Sequence, residues 1–103
     1  MKNVLLVSEQ GVTSHLFLGE AKRVAETRRA ALHFTAAGCA ELAPELLAEQ
    51  DLILFTPQAA AVMDTLHTDA LMAVIPNDIY GWLNSEALVK FATKELAATA
   101  VLA

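Results

Sequence analysis

Hydrophobic residues along the chain form short continuous runs that alternate with longer runs of helical spacing. The two strongest continuous runs are Val4–Val7 and Leu52–Phe55, which polar residues bound on both sides, as in strands covered on both faces. Ala31–Ala36 is a weaker and partly alternating run, and Ala73–Ile75 is a short one before a proline. The pattern therefore predicts four strands.

The segments between and after these strands have the spacing of amphipathic helices. Pro44 fits a helix only in its first turn, and a turn is expected around Gly81. Ser85 is the expected N-cap of the last helix, which carries apolar residues along one side. The predicted helices span Ser14–Arg29, Glu41–Glu49, Pro57 to about Leu66 or Met72, and a final segment that begins at Ser85.

The order βαβαβαβα predicts an α/β fold with a parallel sheet, right-handed crossovers and helices on both faces. We expect a four-stranded sheet of order 2-1-3-4 in a three-layer, flavodoxin-like or phosphotyrosine-phosphatase-like sandwich. The 103 residues contain no linker or low-complexity segment, so residues 1–103 are expected to form a single domain. Ligands of such sheets bind at the carboxyl ends of the strands.

Composition restricts the possible functions. Hydrophobic residues make up 55% and charged residues 18% of the chain, which favours a packed core over disorder. The net charge of −5 and the lack of a basic cluster larger than Arg28–Arg29 argue against nucleic acid as a partner. With no apolar run near the ~20 residues of a spanning helix and no signal peptide, we expect a cytoplasmic protein that is not inserted in a membrane.

The single cysteine, Cys39, excludes an internal disulfide and a multi-cysteine metal site, and it fits a reducing compartment. A lone cysteine of this kind is most often a small, partly buried hydrophobic residue. His67 near a helix end is expected to be solvated. No metal and no cofactor is predicted.

The loop from Ser8 to Ser14 carries the chemistry that the pattern suggests. Free backbone N–H groups, hydroxyls and a helix N-terminus favour a phosphate or another small anion, and Gly11 lets the backbone approach it. Glu9 opposes an anion, and an ordinary loop with Thr13 or Ser14 as N-cap remains the alternative.

Sequence motifs that would identify a specific phosphate-binding or phosphoacceptor family are missing. A P-loop requires a lysine, and the dinucleotide fingerprint requires three spaced glycines, of which only Gly11 is present. A phosphoacceptor receiver domain would end its third strand in aspartate, whereas this strand ends Phe55-Thr56. A cysteine phosphatase would have cysteine in place of Ser8 and an arginine closing the loop.

Three stretches in order, MKNVLLVSEQGVTSHL, DLILFTPQAAAVMDTL and VIPNDIYGWLNSEALVKFA, carry a resemblance to a known family. From Met1 to about Leu96, the chain resembles the enzyme IIB component of lactose/cellobiose-type bacterial sugar phosphotransferase systems. Thr56 replaces the glycine of that family's Gly-Pro-Gln turn.

The resemblance implies a phosphoryl carrier that works with IIA-like and IIC-like components. In the family, a loop cysteine accepts the phosphoryl group from a histidine of IIA and passes it to a sugar held by IIC. Ser8 occupies the position of that cysteine. The resemblance further implies phosphate binding by Glu9, Gln10, Gly11, Val12, Thr13, Ser14 and His15, with Pro57, Gln58 and Tyr80 flanking the site.

Serine at this position changes the expected chemistry. A cysteine at a helix N-terminus can be a thiolate near neutral pH, whereas a serine hydroxyl needs a neighbouring base. His15 and His33 are candidates that the sequence does not place near Ser8, and a phosphoserine ester would be too stable for rapid onward transfer. Because Glu9 and Gln10 also depart from the family, we expect natural divergence and no phosphotransfer through Ser8.

Two other functions stay open. A divergent relative could be a regulatory or interaction module that binds IIA-like or IIC-like partners without transferring phosphate. The hydroxyl-rich loop is also similar to the phosphate loop of flavodoxins, and Tyr80 and Trp82 could stack on a flavin ring. The chain is short for that family and lacks its fifth strand.

Overall fold

The computed structural model describes residues 2–8, 12–66, 68, 70–81 and 84–102, and for residues 12–17, 41, 80, 81 and 98–102 it describes the backbone alone. The strands are β1 (Lys2–Ser8), β2 (Leu32–Gly38), β3 (Leu52–Phe55) and β4 (Leu71–Val74). The α-helices are α1 (Val12–Thr27), α2 (Pro44–Ala48), α3 (Ala60–Met63), α4 (Asn77–Gly81) and α5 (Ser85–Leu102), with 3-10 turns at Cys39–Glu41 and Pro57–Ala59.

The four strands form one parallel sheet in the order β2-β1-β3-β4, as predicted. The two runs with continuous apolar sequence, β1 and β3, lie at the centre, where both faces of a strand are covered. The weaker runs form the edges, and His33 of β2 is exposed there. The apolar pattern thus indicates the position of each strand in the sheet.

Helices cover both faces of the sheet, which confirms the predicted layers. Successive residues of a strand point to opposite faces, so β1 and β3 each contribute to two separate cores. On what we call the α1–α5 face, the core contains Val4, Leu6, Ala21, Val24, Ala25, Phe34, Leu52, Leu54, Ile75, Leu88, Val89 and Ala92. On the α2–α3 face, it contains Leu5, Val7, Ala37, Leu47, Ile53, Phe55 and Ala59.

The second helix is shorter than predicted. Glu41 belongs to a 3-10 turn, and α2 begins only at Pro44. A residue before proline is disfavoured in the helical region, and Ala43 has extended backbone angles of φ −94° and ψ 151°. Pro44 therefore lies in the first turn, as expected, and its ring prevents the helix from starting earlier.

The third helical segment begins at Pro57 as predicted, but it ends well before the predicted end at about Leu66 or Met72. The 3-10 turn Pro57–Ala59 leads into α3, which ends at Met63. The backbone N–H of Thr65 donates to the carbonyl of Val62 at 3.0 Å and its Oγ1 donates to the same oxygen at 2.7 Å, so a turn replaces the next helical residues. The fourth strand then begins at Leu71, two residues before the predicted start.

A short helix that the sequence analysis did not predict ends at Gly81. Helix α4 spans Asn77–Gly81, and the N–H of Asn84 donates to the carbonyl of Ile79 at 2.9 Å as the chain turns toward α5. Asn84, not Ser85, caps α5, because Asn84 Oδ1 accepts the N–H of Ala87 at 3.1 Å. Ser85 is instead the first helical residue and is buried.

The long helices α1 and α5 pack side by side on their face of the sheet. Arg28, just beyond the end of α1, forms an ion pair with Glu86 in the first turn of α5, with Nη2 and Oε2 3.6 Å apart. The start of α5 therefore lies beside the end of α1. Among the described residues, no helix combines the length and the apolar character that crossing a bilayer requires.

Candidate functional site

The predicted strand–loop–helix unit is present at the carboxyl edge of the sheet. Strand β1 ends at Ser8, and α1 begins four residues later at Val12. Ser8 is opposite Gly38 of β2, and Ser8 is only 5% exposed. The position that the family resemblance assigns to the phosphoacceptor is thus a buried serine at the end of a central strand.

The residues predicted to bind phosphate divide into two groups. Glu9, Gln10 and Gly11 lie outside the described residues. Val12, Thr13, Ser14 and His15 form the first turn of α1, where the structure describes the backbone. The first N–H groups of a helix have no acceptor within the helix, and the dipole of a 16-residue helix adds partial positive charge at this end. Anion binding by these residues stays a prediction.

Thr56 is a polar residue at this edge that the sequence analysis did not include in the site. It directly follows β3, and its backbone N–H donates to the carbonyl of Val7 at 3.0 Å. The residue is 2% exposed, and Oγ1 has no hydrogen-bond partner in the described part of the chain. The sequence signal for it is simple: both central apolar runs, VLLV and LILF, are followed by a hydroxyl residue.

Ser8 and Thr56 lie next to each other and face the same side of the sheet. In the β1–β3 pair, Leu6 is opposite Leu54 and Val7 is opposite Phe55, and the hydrogen bond from Thr56 to Val7 continues this ladder by one step. Thr56 has extended backbone angles, φ −64° and ψ 157°, so the strand alternation also continues. Both residues therefore point to the α1–α5 face, as Leu6 and Leu54 do.

The predicted flanking residues Pro57 and Gln58 form the 3-10 turn directly after Thr56. The N–H of Ala59 donates to the carbonyl of Thr56 at 2.9 Å, which closes this turn. Pro57 is half-buried and Gln58 is exposed. Because they follow the carboxyl end of β3, both lie at the same edge of the sheet as Ser8. Tyr80 belongs to α4, and its side chain is outside the described part.

Of the two candidate bases for Ser8, the structure excludes His33, which lies too far away. On the neighbouring strand His33 is opposite Asn3, five residues before Ser8, which corresponds to about 16 Å along the strand. For His15, the described backbone lies in the first turn of α1. His67 and Trp82 lie outside the described residues.

Cys39 directly follows Gly38, the partner of Ser8 on β2. It is partly buried and packs against the core of the α2–α3 face. This agrees with the predicted role of a small, partly buried hydrophobic residue. In the ranges that the structure describes, no group of three or more His, Cys, Asp or Glu side chains could hold a metal ion.

The basic residues within the second half of α1 and just after it lie far from the first turn of that helix. Lys22 and Arg23 are in the second half of that helix, and Arg28–Arg29 follow its end. Arg23 Nη2 is 2.6 Å from Glu20 Oε2, and this hydrogen bond raises the pKa of the Arg23 guanidinium above its usual value. An anion at the end of β1 would therefore be held by N–H and hydroxyl groups rather than by these cations.

Comparison with known proteins supports the fold. No protein-family model and no curated protein matches the chain. Among solved structures, the chain is similar to the lactose-specific IIB component domain of the phosphoenolpyruvate:carbohydrate phosphotransferase system from Streptococcus pneumoniae. The TM-score is 0.65 at 14% sequence identity, and the match covers 90% of this chain and 95% of the other. At this identity the similarity establishes the shared fold.

Proposed function

We propose that residues 1–103 form a single IIB-like domain of a lactose/cellobiose-type sugar phosphotransferase system that does not transfer phosphate through Ser8. The observation that carries the proposal is the position of Ser8. It ends a central parallel strand, four residues before the start of α1, where the family resemblance places the phosphoacceptor. The fold shared with a lactose-specific IIB domain over 90% of the chain supports the same assignment.

The chemistry of Ser8 argues against a carrier role. A serine hydroxyl is a nucleophile only when a base takes its proton, and His33 lies near the opposite end of β1. Glu9 places a negative charge next in sequence to Ser8. A phosphoserine ester would also retain its phosphoryl group instead of passing it to a sugar. We therefore propose that the domain binds IIA-like or IIC-like components as a regulatory or interaction module, in the cytoplasm and without entering the membrane.

The second part of the proposal is that the loop after β1 binds an anion without forming a covalent bond to it. We propose that the N–H groups of the loop and of the first turn of α1, with the hydroxyls of Thr13 and Ser14, bind phosphate or another small anion weakly. Gly11 allows the close approach, and Gly11→Val is expected to weaken binding. Flavin mononucleotide binding is the alternative, and flavin absorbance in a preparation soaked with the cofactor would support it.

The test is incubation with a phosphorylated IIA partner followed by intact-mass analysis at neutral pH. The variants are the native chain, Cys39→Ser, and the double variant Ser8→Cys with Cys39→Ser, in which position 8 carries the only cysteine. We expect no gain of mass on the native chain and on Cys39→Ser. A gain on the double variant alone would show that the site still accepts a phosphoryl group when a thiolate is present.

Two other results have definite meanings. A rapid gain of one phosphate on the native chain, mapped to Ser8 and discharged by a sugar-loaded IIC partner, would overturn the proposal and make the protein a serine-based carrier. No gain on any variant, together with amide shifts when the IIA partner is added, would identify a binding module. Absence of both transfer and partner binding would contradict the assignment to this system.

A further inference from the structure

We propose that the buried hydroxyl of Thr56 is a ligand of the anion site and donates a hydrogen bond to a bound tetrahedral oxyanion. The ligand class is a small oxyanion with several acceptor oxygens, either free phosphate or the terminal group of a phosphomonoester. This inference rests on the proposed function in one respect, namely that an anion binds where β1 leads into α1.

The first observation is that Thr56 Oγ1 is buried without a partner. The residue is 2% exposed, and Oγ1 makes no hydrogen bond to any described residue. Leaving a buried hydroxyl unpaired costs free energy relative to a satisfied one. A bound oxyanion would accept this hydrogen bond and remove that cost.

The second observation is where the hydroxyl residue lies. Thr56 continues β3 beside Ser8, and both residues point to the face that α1 covers. On its other side Thr56 is next to Ile75, whose N–H continues the ladder by donating to the carbonyl of Phe55 at 2.8 Å. Ile75 is apolar and buried, so of the two residues that lie beside Thr56 on the neighbouring strands, Ser8 is the polar one.

Two other buried polar atoms also lack a partner, and their position in the sheet distinguishes them from Thr56 Oγ1. Thr35 Oγ1 and Gln50 Oε1 are also unpaired. Thr35 is opposite Leu5 in the middle of β1, and Gln50 precedes β3 at the amino edge of the sheet. Neither residue is at the edge where parallel sheets bind ligands, whereas Thr56 is.

The chemistry requires only hydrogen bonding, and no covalent bond forms or breaks. A threonine hydroxyl donates one proton, and the N–H groups of the first turn of α1 are donors as well. A ligand that only accepts, such as sulfate, therefore satisfies these groups as well as phosphate does.

The experiment is a titration of the full chain with inorganic phosphate and with sulfate, followed by amide chemical shifts at constant ionic strength. Thr56→Val removes the hydroxyl and keeps the shape, whereas Thr56→Ser keeps the hydroxyl. Thr35→Val is the matched control, because it makes the same chemical change at another buried and unpaired hydroxyl. Glycerol 3-phosphate in place of phosphate distinguishes a phosphomonoester from the free anion as the preferred ligand, and the loss of binding in Thr56→Val is measured for whichever binds more tightly.

We expect Thr56→Val to weaken phosphate binding by about tenfold, because a hydrogen bond to a charged group is lost. The dissociation constants of Thr56→Ser and Thr35→Val for phosphate should stay within about twofold of the native value, because both variants keep a hydroxyl at position 56. Without phosphate, Thr56→Val should melt at the native temperature or above it, because an unpaired buried hydroxyl is removed. The phosphate-dependent rise in melting temperature should fall in Thr56→Val alone, which a purely structural role of Thr56 would not produce.

The failure of this inference differs from failure of the proposed anion site. If the native chain and Thr56→Val bind phosphate equally well, Thr56 is not a ligand, and the anion site stands without it. If the native chain binds neither phosphate nor sulfate, the anion site is wrong, and the role of Thr56 is wrong with it. If Thr56→Val does not fold, the comparison of Thr56→Ala with Thr56→Ser decides in the same way.

Discussion

Thr56, the residue directly after β3, lies beside Ser8 of β1, and the hydrogen bond from its N–H to the carbonyl of Val7, 3.0 Å long, holds it there. The two residues are 48 positions apart in the chain. They meet because the strands are parallel and in register, so the residues that follow two neighbouring strands lie at one edge. This pair places a buried, unpaired hydroxyl beside Ser8 at the carboxyl edge of the sheet.

Replacing Leu6 by aspartate is expected to unfold the domain. Leu6 is 1% exposed at the centre of β1 and packs in the core of the α1–α5 face, where a carboxylate has neither water nor a cation. We expect a loss of about 4 kcal/mol or more in the free energy of unfolding, measured by urea denaturation followed by circular dichroism.

His33→Asp is the matched control for this substitution. It introduces the same side chain into the same sheet, but at an exposed position of the edge strand β2. Its effect should be within about 0.5 kcal/mol. An unchanged melting temperature of Leu6→Asp would show that β1 is not a central buried strand.

Asn84→Ala is expected to destabilise the protein by about 0.5–2 kcal/mol, because Asn84 Oδ1 accepts the N–H of Ala87 at the start of α5. Asn84→Ser retains an acceptor and should lose less. Hydrogen exchange of the first amides of α5 and denaturation with urea measure the effect. A larger loss of this amide protection in Ser85→Ala than in Asn84→Ala would contradict the assignment of the cap.

Arg29→Gly is expected to stabilise the protein by about 0.5–1 kcal/mol. Arg29 has a φ of 55°, and the N–H of Ala30 donates to the carbonyl of Ala25 at 2.8 Å, so Arg29 occupies the left-handed position after α1 that glycine prefers. Its side chain is exposed. Thermal denaturation measures the gain, and Lys22→Gly, an exposed basic residue inside α1, should instead cost about 1 kcal/mol.

Asp51→Ala is expected to cost about 1–2 kcal/mol, because Asp51 connects the entry of β3 to the start of β1. Asp51 Oδ2 accepts the N–H of Asn3 at 2.7 Å, and the Asp51 N–H donates to the Asn3 carbonyl at 2.9 Å. Urea denaturation should show a smaller loss for Asp51→Asn, which keeps an acceptor. Glu49→Ala is the control, since Glu49 contributes its backbone carbonyl to Asn3 Nδ2 at 2.8 Å; a loss as large as that of Asp51→Ala would contradict this account.

Helix boundaries can be predicted where a rule about neighbouring residues sets them. They are missed where a side-chain hydrogen bond or an unusual backbone conformation ends the helix. Pro44 restricts the residue before it, so the start of α2 follows from the sequence once that restriction is applied. The end of α3 depends on a side-chain hydrogen bond from Thr65 to the carbonyl of Val62, which hydrophobic spacing does not reveal. The end of α1 is set by the left-handed Arg29, and a non-glycine residue gives no sign of that conformation.

The sequence alone determined the layers of the fold and the place of the candidate site. Continuous apolar runs such as Val4–Val7 require cover on both faces, and alternation with helical runs allows little except a parallel sheet with helices on each side. The end of the first strand at Ser8 and the start of α1 shortly after it are local properties. They follow from where the apolar pattern stops.

The tertiary structure alone decided which distant residues meet at that site. The register between β1 and β3 places Thr56 beside Ser8, and the register between β1 and β2 places His33 beside Asn3, at the other end of the strand. A shift of one residue in either pair would turn these side chains to the opposite face. Register depends on how all the buried side chains of both faces pack together, and no single segment of the sequence contains that information.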